Sequence, residues 1–303
     1  MGFRLAMAGA VEFSRACLET LLGMNAPLAG VLALSSRCAN RHSDYADLAP
    51  ACRNAGVPVV SVEDINSPLA LETLRRWDVD VLLVLGWSQL LGEALLGAAR
   101  KGAIGSHPSL LPRNRGRHPI IWQILNGETE SGLTLFRLDE AADRGPILCQ
   151  DRFPLNGNEN AGTFYAKVIG AAKTLLPEAV RLLESGNPPC RPQDESRATY
   201  LRKRDEREGW IEWSRPASEI QTLVRALTRP YPGAKAFLPD RTVTVWDARL
   251  VPDGATAAAP GTLIHPASSR CRVATGSGVL EITASDPEPS LLCSGGRFVK
   301  NSL

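Results

Sequence analysis

"FRLAMAGAVEFSRACLETLLGMNAPLAGVLAL" (residues 3–34) opens on a short apolar run, passes through an amphipathic segment and closes on a second apolar run. "FRLAMAG" has the length and unbroken apolarity of a strand buried on both faces. "SRACLETLLGM" has helical spacing and turns Ala16, Leu18, Leu21 and Leu22 inward. "LAGVLAL" is again a strand. Two parallel strands need a crossover between them, so strand, helix, strand is the repeating unit of a parallel sheet.

The alternation continues. "DYADLAPACRNAG" (44–56) reads as a helix with a glycine stop, "VPVVSV" (57–62) as a strand and "SPLALETLRRWD" (67–78) as a helix. "VDVLLVLG" (79–86) is a strand and "LGEALLGAARKG" (91–102) a helix. The class is therefore α/β, with a doubly wound, mostly parallel sheet. Ligands of such sheets sit beyond the carboxyl ends of the strands, near a switch in strand order. "LGWSQLL" (85–91) and "GSHPSLLPRNRGRHPIIWQILNGE" (105–128) fall at that edge. The first turn holds Gly9 but no GxGxxG, and no GxxxxGK[ST] occurs, so no dinucleotide is expected.

Around residues 187–204 the chain becomes rich in proline and charge. The expected limits are a first domain over 1–190, a linker over 191–208 and a second domain over 209–303. The second domain opens with a helix in "SRPASEIQTLVRALTRPYPG" (214–233), capped by Ser214, with Pro216 early and Tyr231-Pro232-Gly233 as the stop. The runs "AKAFLP", "RTVTVWDARLV", "GTLIHPA", "CRVATG" and "GVLEITASD" follow without crossover helices and predict a small β-barrel.

Composition narrows the function classes. The 303 residues carry a net charge of +2, split as 19 Lys+Arg against 21 Asp+Glu up to residue 196 and 15 against 11 beyond it. So weak a field argues against nucleic acid and anionic membrane as partners. The seven cysteines are scattered, without CxxC or zinc-like spacing, and suit free thiols in a reducing compartment; no metal is expected. No apolar stretch approaches the roughly 20 residues of a membrane span, and the start lacks a signal peptide. A cytoplasmic, soluble protein is expected.

His107 lies in a turn stiffened by prolines, and Asp143 precedes Arg144-Gly145 in "LFRLDEAADRGPILCQ" (135–150), after a strand over Thr134–Leu138. A carboxylate beside an imidazole orients the ring, raises its pKa and takes up protons itself. Such a pair supports acyl-type transfer to an amine, with the imidazolium stabilising an oxyanion. On the residues alone, a structural histidine and a turn aspartate remain alternatives.

"HPSLLPRNRGRHPIIW", followed about 30 residues later by "DEAADRGPIL", resembles the 10-formyltetrahydrofolate-dependent formyltransferases. "EGWIEWSRPASEIQTLVRALTRPYPGA" with "VTVWDARL" resembles the linker, helix and OB-like barrel shared by their tRNA and sugar enzymes, so the resemblance spans nearly the whole chain. It implies a Rossmann-like catalytic domain that uses 10-formyltetrahydrofolate as formyl donor. His107 and Asp143 match the catalytic histidine and aspartate. Gly105 stands where the family has an asparagine that donates to the oxyanion. Three outcomes follow: Gly105 leaves room for a water or substrate group, the enzyme is slower, or formyl transfer is lost. Asn114 is a candidate replacement donor, and asparagine restored at 105 is expected to leave transfer unchanged or raise it.

For folate the resemblance implies Leu85, Gly86, Trp87 and Ser88 together with Asp139, Glu140, Ala141, Ala142 and Asp143. For the acceptor it implies Ser106, Pro108, Ser109, Asn114 and Tyr231, with Arg113, Arg115 and Arg117 as a cationic rim. For His118, followed by Pro119, a structural role is expected ahead of pairing with a substrate phosphate. The loop "SSRCANRHSDYADL" (35–48) lacks the basic insert of the tRNA enzymes, so tRNA ranks below a small-molecule amine. "RHPIIWQILNGETESGLTLFRLD" and "RALTRPYPGA" resemble the sugar-nucleotide N-formyltransferases, including the aminoarabinose enzyme, which implies a nucleotide-linked amino sugar. A natural-product amine, a folate-binding module and a formyl-folate hydrolase stay open, as does a homodimer.

Overall fold

The opening run forms β1 (Leu5–Gly9), every residue of which is buried. The computed structural model describes residues 2–186, 188–252, 254, 256–264, 271–292 and 296–299. After β1 come α1 (Glu12–Gly23), β2 (Leu28–Leu34), α2 (Ala49–Asn54), β3 (Val59–Val62), α3 (Pro68–Trp77), β4 (Val81–Val84) and α4 (Glu93–Leu96). Next are β5 (Ala103–His107), β6 (Arg115–Gly116), α5 (Pro119–Leu125), β7 (Glu130–Arg137), β8 (Ile147–Pro154), α6 (Ala161–Glu184) and β9 (Tyr200–Leu201). Then follow α7 (Ala217–Leu227), β10 (Ala234–Leu238), β11 (Arg241–Leu250), β12 (Leu263–Ile264), β13 (Cys271–Ala274), β14 (Val279–Asp286) and α8 (Pro289–Leu292). The chain divides into two units. Met1–Pro119, Glu130–Leu155 and Tyr165–Arg202 form the first; Ile120–Thr129, Asn156–Phe164 and Lys203–Leu303 form the second.

The first unit holds a seven-stranded sheet in the order β3-β2-β1-β4-β5-β7-β8. Strands β1 to β5 are parallel, and β7 and β8 run antiparallel beside them. The sheet is Rossmann-like, with its order switching between β1 and β4. Ser14 fastens that switch point. Its hydroxyl accepts from Ala10 N (2.9 Å) and Val11 N (3.1 Å) and donates to Leu85 O at 2.6 Å. Gly9 and Gly86 make room for it: a Cβ on Gly9 would lie 2.5 Å from Ser14 Cβ, and one on Gly86 2.5 Å from Ser14 Oγ.

Several helices differ from the sequence reading. α1 begins at Glu12 and buries Phe13, Ser14, Cys17, Leu18 and Leu21, leaving Ala16 and Leu22 half-buried at its flank. The helix expected over 44–56 is confined to Ala49–Asn54, because Asp47 accepts from Ala49 N and ends the loop there. Ser214 bonds Glu212 instead of capping α7, whose N-cap is Pro216.

In the second unit five antiparallel strands run in the order β10-β11-β14-β13-β12. The bridges Phe237↔Val299 and Thr262↔Arg297 set one segment against both edges of this curled sheet, closing it as a small barrel. Val243, Val245, Val273, Leu280 and Ile282 fill it, and Trp213 stacks on Phe298 with ring centroids 4.8 Å apart. His265, Pro266 and Ala267 of the expected "GTLIHPA" strand lie outside the described residues.

The linker expected over 191–208 is not a linker through its first half. Residues up to Arg202 belong to the first unit, where β9 pairs in parallel with β6 through Arg115↔Tyr200 and Gly116↔Leu201. Cys17, Cys38, Cys52, Cys149 and Cys190 form no disulfide, and burial pushes the Cys52 thiol up to about 11 and that of Cys149 to about 12. Among the described residues no helix is long and apolar enough to cross a membrane.

Ser14→Ala is expected to destabilise the first unit by ~1–3 kcal/mol, the cost of leaving buried backbone groups without a partner. Urea unfolding measures it.

Candidate active site

His107 is the last residue of β5 and is buried. Its Nε2 lies 2.7 Å from the carbonyl oxygen of Asn114. A carbonyl only accepts, so Nε2 carries the hydrogen and Nδ1 is left facing Asp143 Oδ1 at 3.6 Å. That distance is too long for a direct hydrogen bond.

The turn after β5 is braced from below. Ser109 Oγ donates to Arg113 O (2.8 Å), and Thr134 Oγ1, opposite His107 on β7, donates to Ser109 O (2.7 Å). Asn114, with a left-handed φ of 61°, is held by its N–H to Thr199 Oγ1 at 2.8 Å.

Asp143 arrives from the other direction. Because β7 runs antiparallel to β5, Arg137 lies opposite Ile104, at the start of β5. The segment after β7 therefore returns along the face of β5 that Gly105 and His107 share, since residues two apart on a strand point the same way. Leu138 covers Gly105, and Asp143 reaches His107. Asp143 has a left-handed φ of 58°, and its Oδ2 accepts from Gly116 N at 2.8 Å, leaving Oδ1 toward the imidazole. Gly116 is required at this point: its φ is +105°, and a Cβ would lie 2.2 Å from Leu201 O.

Two expectations are corrected here. The space beside Gly105 is filled: a Cβ would stand 2.5 Å from Leu138 Cδ2 and 3.0 Å from Leu138 Cγ, so glycine admits a leucine there and not a water or substrate group. Arg115 is not on a cationic rim. It is fully buried, and its guanidinium donates to Gln193 Oε1, to both carboxylate oxygens of Glu195 and to Tyr200 Oη. That pairing holds the Glu195 carboxyl below its usual range.

The other expected residues are dispersed. Arg113 pairs with Glu130 (2.7 Å), while Arg117 is exposed. Ser109 is fully buried in the brace described above, Pro108 and His118 are half-buried, and Ser106 is the half-buried neighbour of His107 on β5. Leu85 is buried, with its N–H donated to Ala8 O and its carbonyl taking Ser14 Oγ. Gly86 and Trp87 are half-buried, the indole N–H donating to Gln89 (3.1 Å), and Ser88 is exposed. Asp139, Glu140, Ala141 and Ala142 are exposed, with Asp139 accepting from Ala141 N. Tyr231 belongs to the second unit. Sequence reasoning missed Leu138, Gly116, Gln193, Thr199 and Tyr200. The last three were hidden in a stretch whose proline and charge content reads as linker.

These features define an α/β unit that sets a buried histidine, the last residue of its fifth strand, against a carboxylate, in a chain whose second unit is a small β-barrel. Residues 52–180 match the formyl transferase family and residues 203–302 the formyl transferase C-terminal domain. The chain belongs to the formyltransferase family.

Solved structures share the fold. HypX from Aquifex aeolicus, solved with tetrahydrofolic acid, is 17% identical with a TM-score of 0.69, over 94% of this chain and 44% of HypX. This chain thus spans less than half of HypX. The N-formyltransferase from Helicobacter canadensis, solved with folinic acid and dTDP-3-aminofucose, is 17% identical with a TM-score of 0.65, over 92% of this chain and 98% of that one. The sugar 3N-formyl transferase WlaRD, solved with dTDP and 5-N-formyl-THF, is 15% identical with a TM-score of 0.65, over 99% of both chains.

Gly105→Asn alone is expected to destabilise by ~1–3 kcal/mol through overpacking against Leu138, and Leu138→Ala in the same chain to relieve that strain; denaturant midpoints of the single and double variants decide it. Because Glu195 is depressed in the folded state, its contribution to stability is complete above the ordinary carboxylate pKa and fades as pH falls through the lowered value. Glu195→Gln is expected to flatten that part of the acid limb in thermal melts.

Proposed function

We propose that this chain transfers the formyl group of 10-formyltetrahydrofolate to the amine of a small acceptor, an amino sugar on a nucleotide carrier. The observation that carries the reaction is the opposition of His107 Nδ1 and Asp143 Oδ1 across 3.6 Å, each held from behind by backbone. The reaction forms a bond from the acceptor nitrogen to the formyl carbon and breaks the bond from that carbon to the donor nitrogen. His107, protonated, steadies the negative charge that gathers on the formyl oxygen. Asp143 accepts the proton that the attacking nitrogen must lose, and His107 supplies one to the departing nitrogen. The pair is reset when Asp143 returns its proton and the imidazole is reprotonated.

The segments fitted to the donor are Gly86–Ser88, just after β4, and Asp139–Ala142, immediately before Asp143, whose residues are exposed or half-buried. Leu85 contributes through packing, since its backbone N–H is already engaged. The acceptor class is supported by the two sugar enzymes, which match this chain over nearly their full length. A tRNA acceptor is disfavoured by charge. In the loop after β2, Arg41 bonds the backbone carbonyl of Glu63 and Arg37 lies 3.8 Å from the Glu63 carboxylate, while Asp44 and Asp47 of the same loop offset the two cations.

His107→Ala and Asp143→Asn are each expected to lower turnover by about 100-fold or more, with circular dichroism unchanged. Tetrahydrofolate release is to be followed with and without nucleotide-linked amino sugars. Release that depends on the amine supports the reading. Formate release without amine makes the protein a hydrolase, binding without turnover makes it a module, and tight, salt-sensitive binding of initiator tRNA replaces the acceptor.

A further inference from the structure

We propose that Gln193 is a positioning residue for the His107–Asp143 pair, holding the carboxylate toward the imidazole through the backbone of the Asp143 turn. Its catalytic consequence rests on the function proposed above; the positioning itself does not.

A non-glycine residue at positive φ is strained by about 1 kcal/mol or more and persists where its surroundings hold it. Asp143 is such a residue, and the four residues before it are exposed. Gln193 Nε2 donates to Asp143 O at 2.9 Å and to Gly145 O at 2.8 Å, spanning the turn. Its Oε1 accepts from Arg115 Nε at 3.1 Å and Nη2 at 2.8 Å. Carbonyls only accept and a guanidinium only donates, so the amide has one permitted orientation. Arg115 is fixed in turn. All five of its N–H groups have partners: Nε on Gln193, Nη1 on Glu195 and Tyr200, Nη2 on Gln193 and Glu195. The next residue, Gly116, gives its N–H to Asp143 Oδ2. Asp143 is thereby gripped at its carbonyl by Gln193 and at its carboxylate by Gly116, and both grips trace to the pairing of β6 with the segment around β9. Residue 145 has no room for a side chain, since a Cβ there would lie 1.8 Å from Arg137 O, and it is held through its carbonyl alone by Gln193.

Two variants separate positioning from general stability. Gln193→Ala removes both donors. Gln193→Glu keeps a partner for Arg115 but turns an acceptor toward two carbonyls. Both are expected to raise amide exchange in the peptide covering 139–146 while β5 stays protected, and to lower kcat about 10–100-fold with the KM of donor and acceptor unchanged. Gln193→Glu is expected to regain part of its rate as pH falls, because a protonated carboxyl donates again. In an Asp143→Asn background Gln193→Ala is expected to add no further loss. Unaltered exchange in the 139–146 peptide, or rate losses that multiply in the double variant, overturns the proposal. Should the unmodified chain transfer no formyl group, the proposed function falls, and the exchange measurement still decides the placement of the turn.

Discussion

A buried guanidinium tolerates no idle donor. Arg115 satisfies that constraint by drawing Gln193, Glu195 and Tyr200 onto one side chain, and the rest of the site is arranged around the result. The segment 193–200 must lie against β6 to supply those acceptors. Once there, its strand pairs with β6, Thr199 holds Asn114, and Asn114 holds His107. The imidazole and the carboxylate thus share one structural origin although 36 positions separate them. Of the three acceptors Glu195 carries the compensating charge, so removing it costs more than removing either neutral partner.

The sheet edge explains why the pair forms on β5. In a fully parallel sheet β7 would end beside the carboxyl end of β5, and the chain would leave the sheet there. Reversing β7 brings its end beside the start of β5, and the returning segment then lies over the strand's face. A carboxylate is delivered alongside a histidine without either residue leaving the first unit. Of the two antiparallel strands, β7 also contributes Thr134, which braces the histidine turn from beneath.

Periodicity made the parallel strands legible, because strands buried on both faces are short apolar runs and their crossovers show helical spacing. The barrel strands were legible through their turns. The register of α1 was not, since Phe13 and Cys17 lie just outside the stripe that leucines alone suggest. His107 and Asp143 stood out through the motif they share with a known family. The clamp around Arg115 did not, because burial of an arginine depends on partners about 80 positions away that carry no local signal. A stretch of proline, glutamine and acids reads as solvated linker until its acceptors are seen to face a cation.

Gly105 shows the limit of judging a residue by the chemistry it lacks. By sequence it is a missing amide donor. By structure it is missing volume, taken up by Leu138 from the returning segment. The two positions pack as one feature, since any Cβ at 105 would meet Leu138 at 2.5 Å. An asparagine placed at 105 therefore tests packing before it tests catalysis. On the proposed mechanism, charge on the formyl oxygen falls chiefly to His107, whose Nε2 is already committed to Asn114 O. Nδ1 is the atom left to meet it, beside the carboxylate that must collect the other proton. The short span between those two atoms is where both halves of the transfer have to occur.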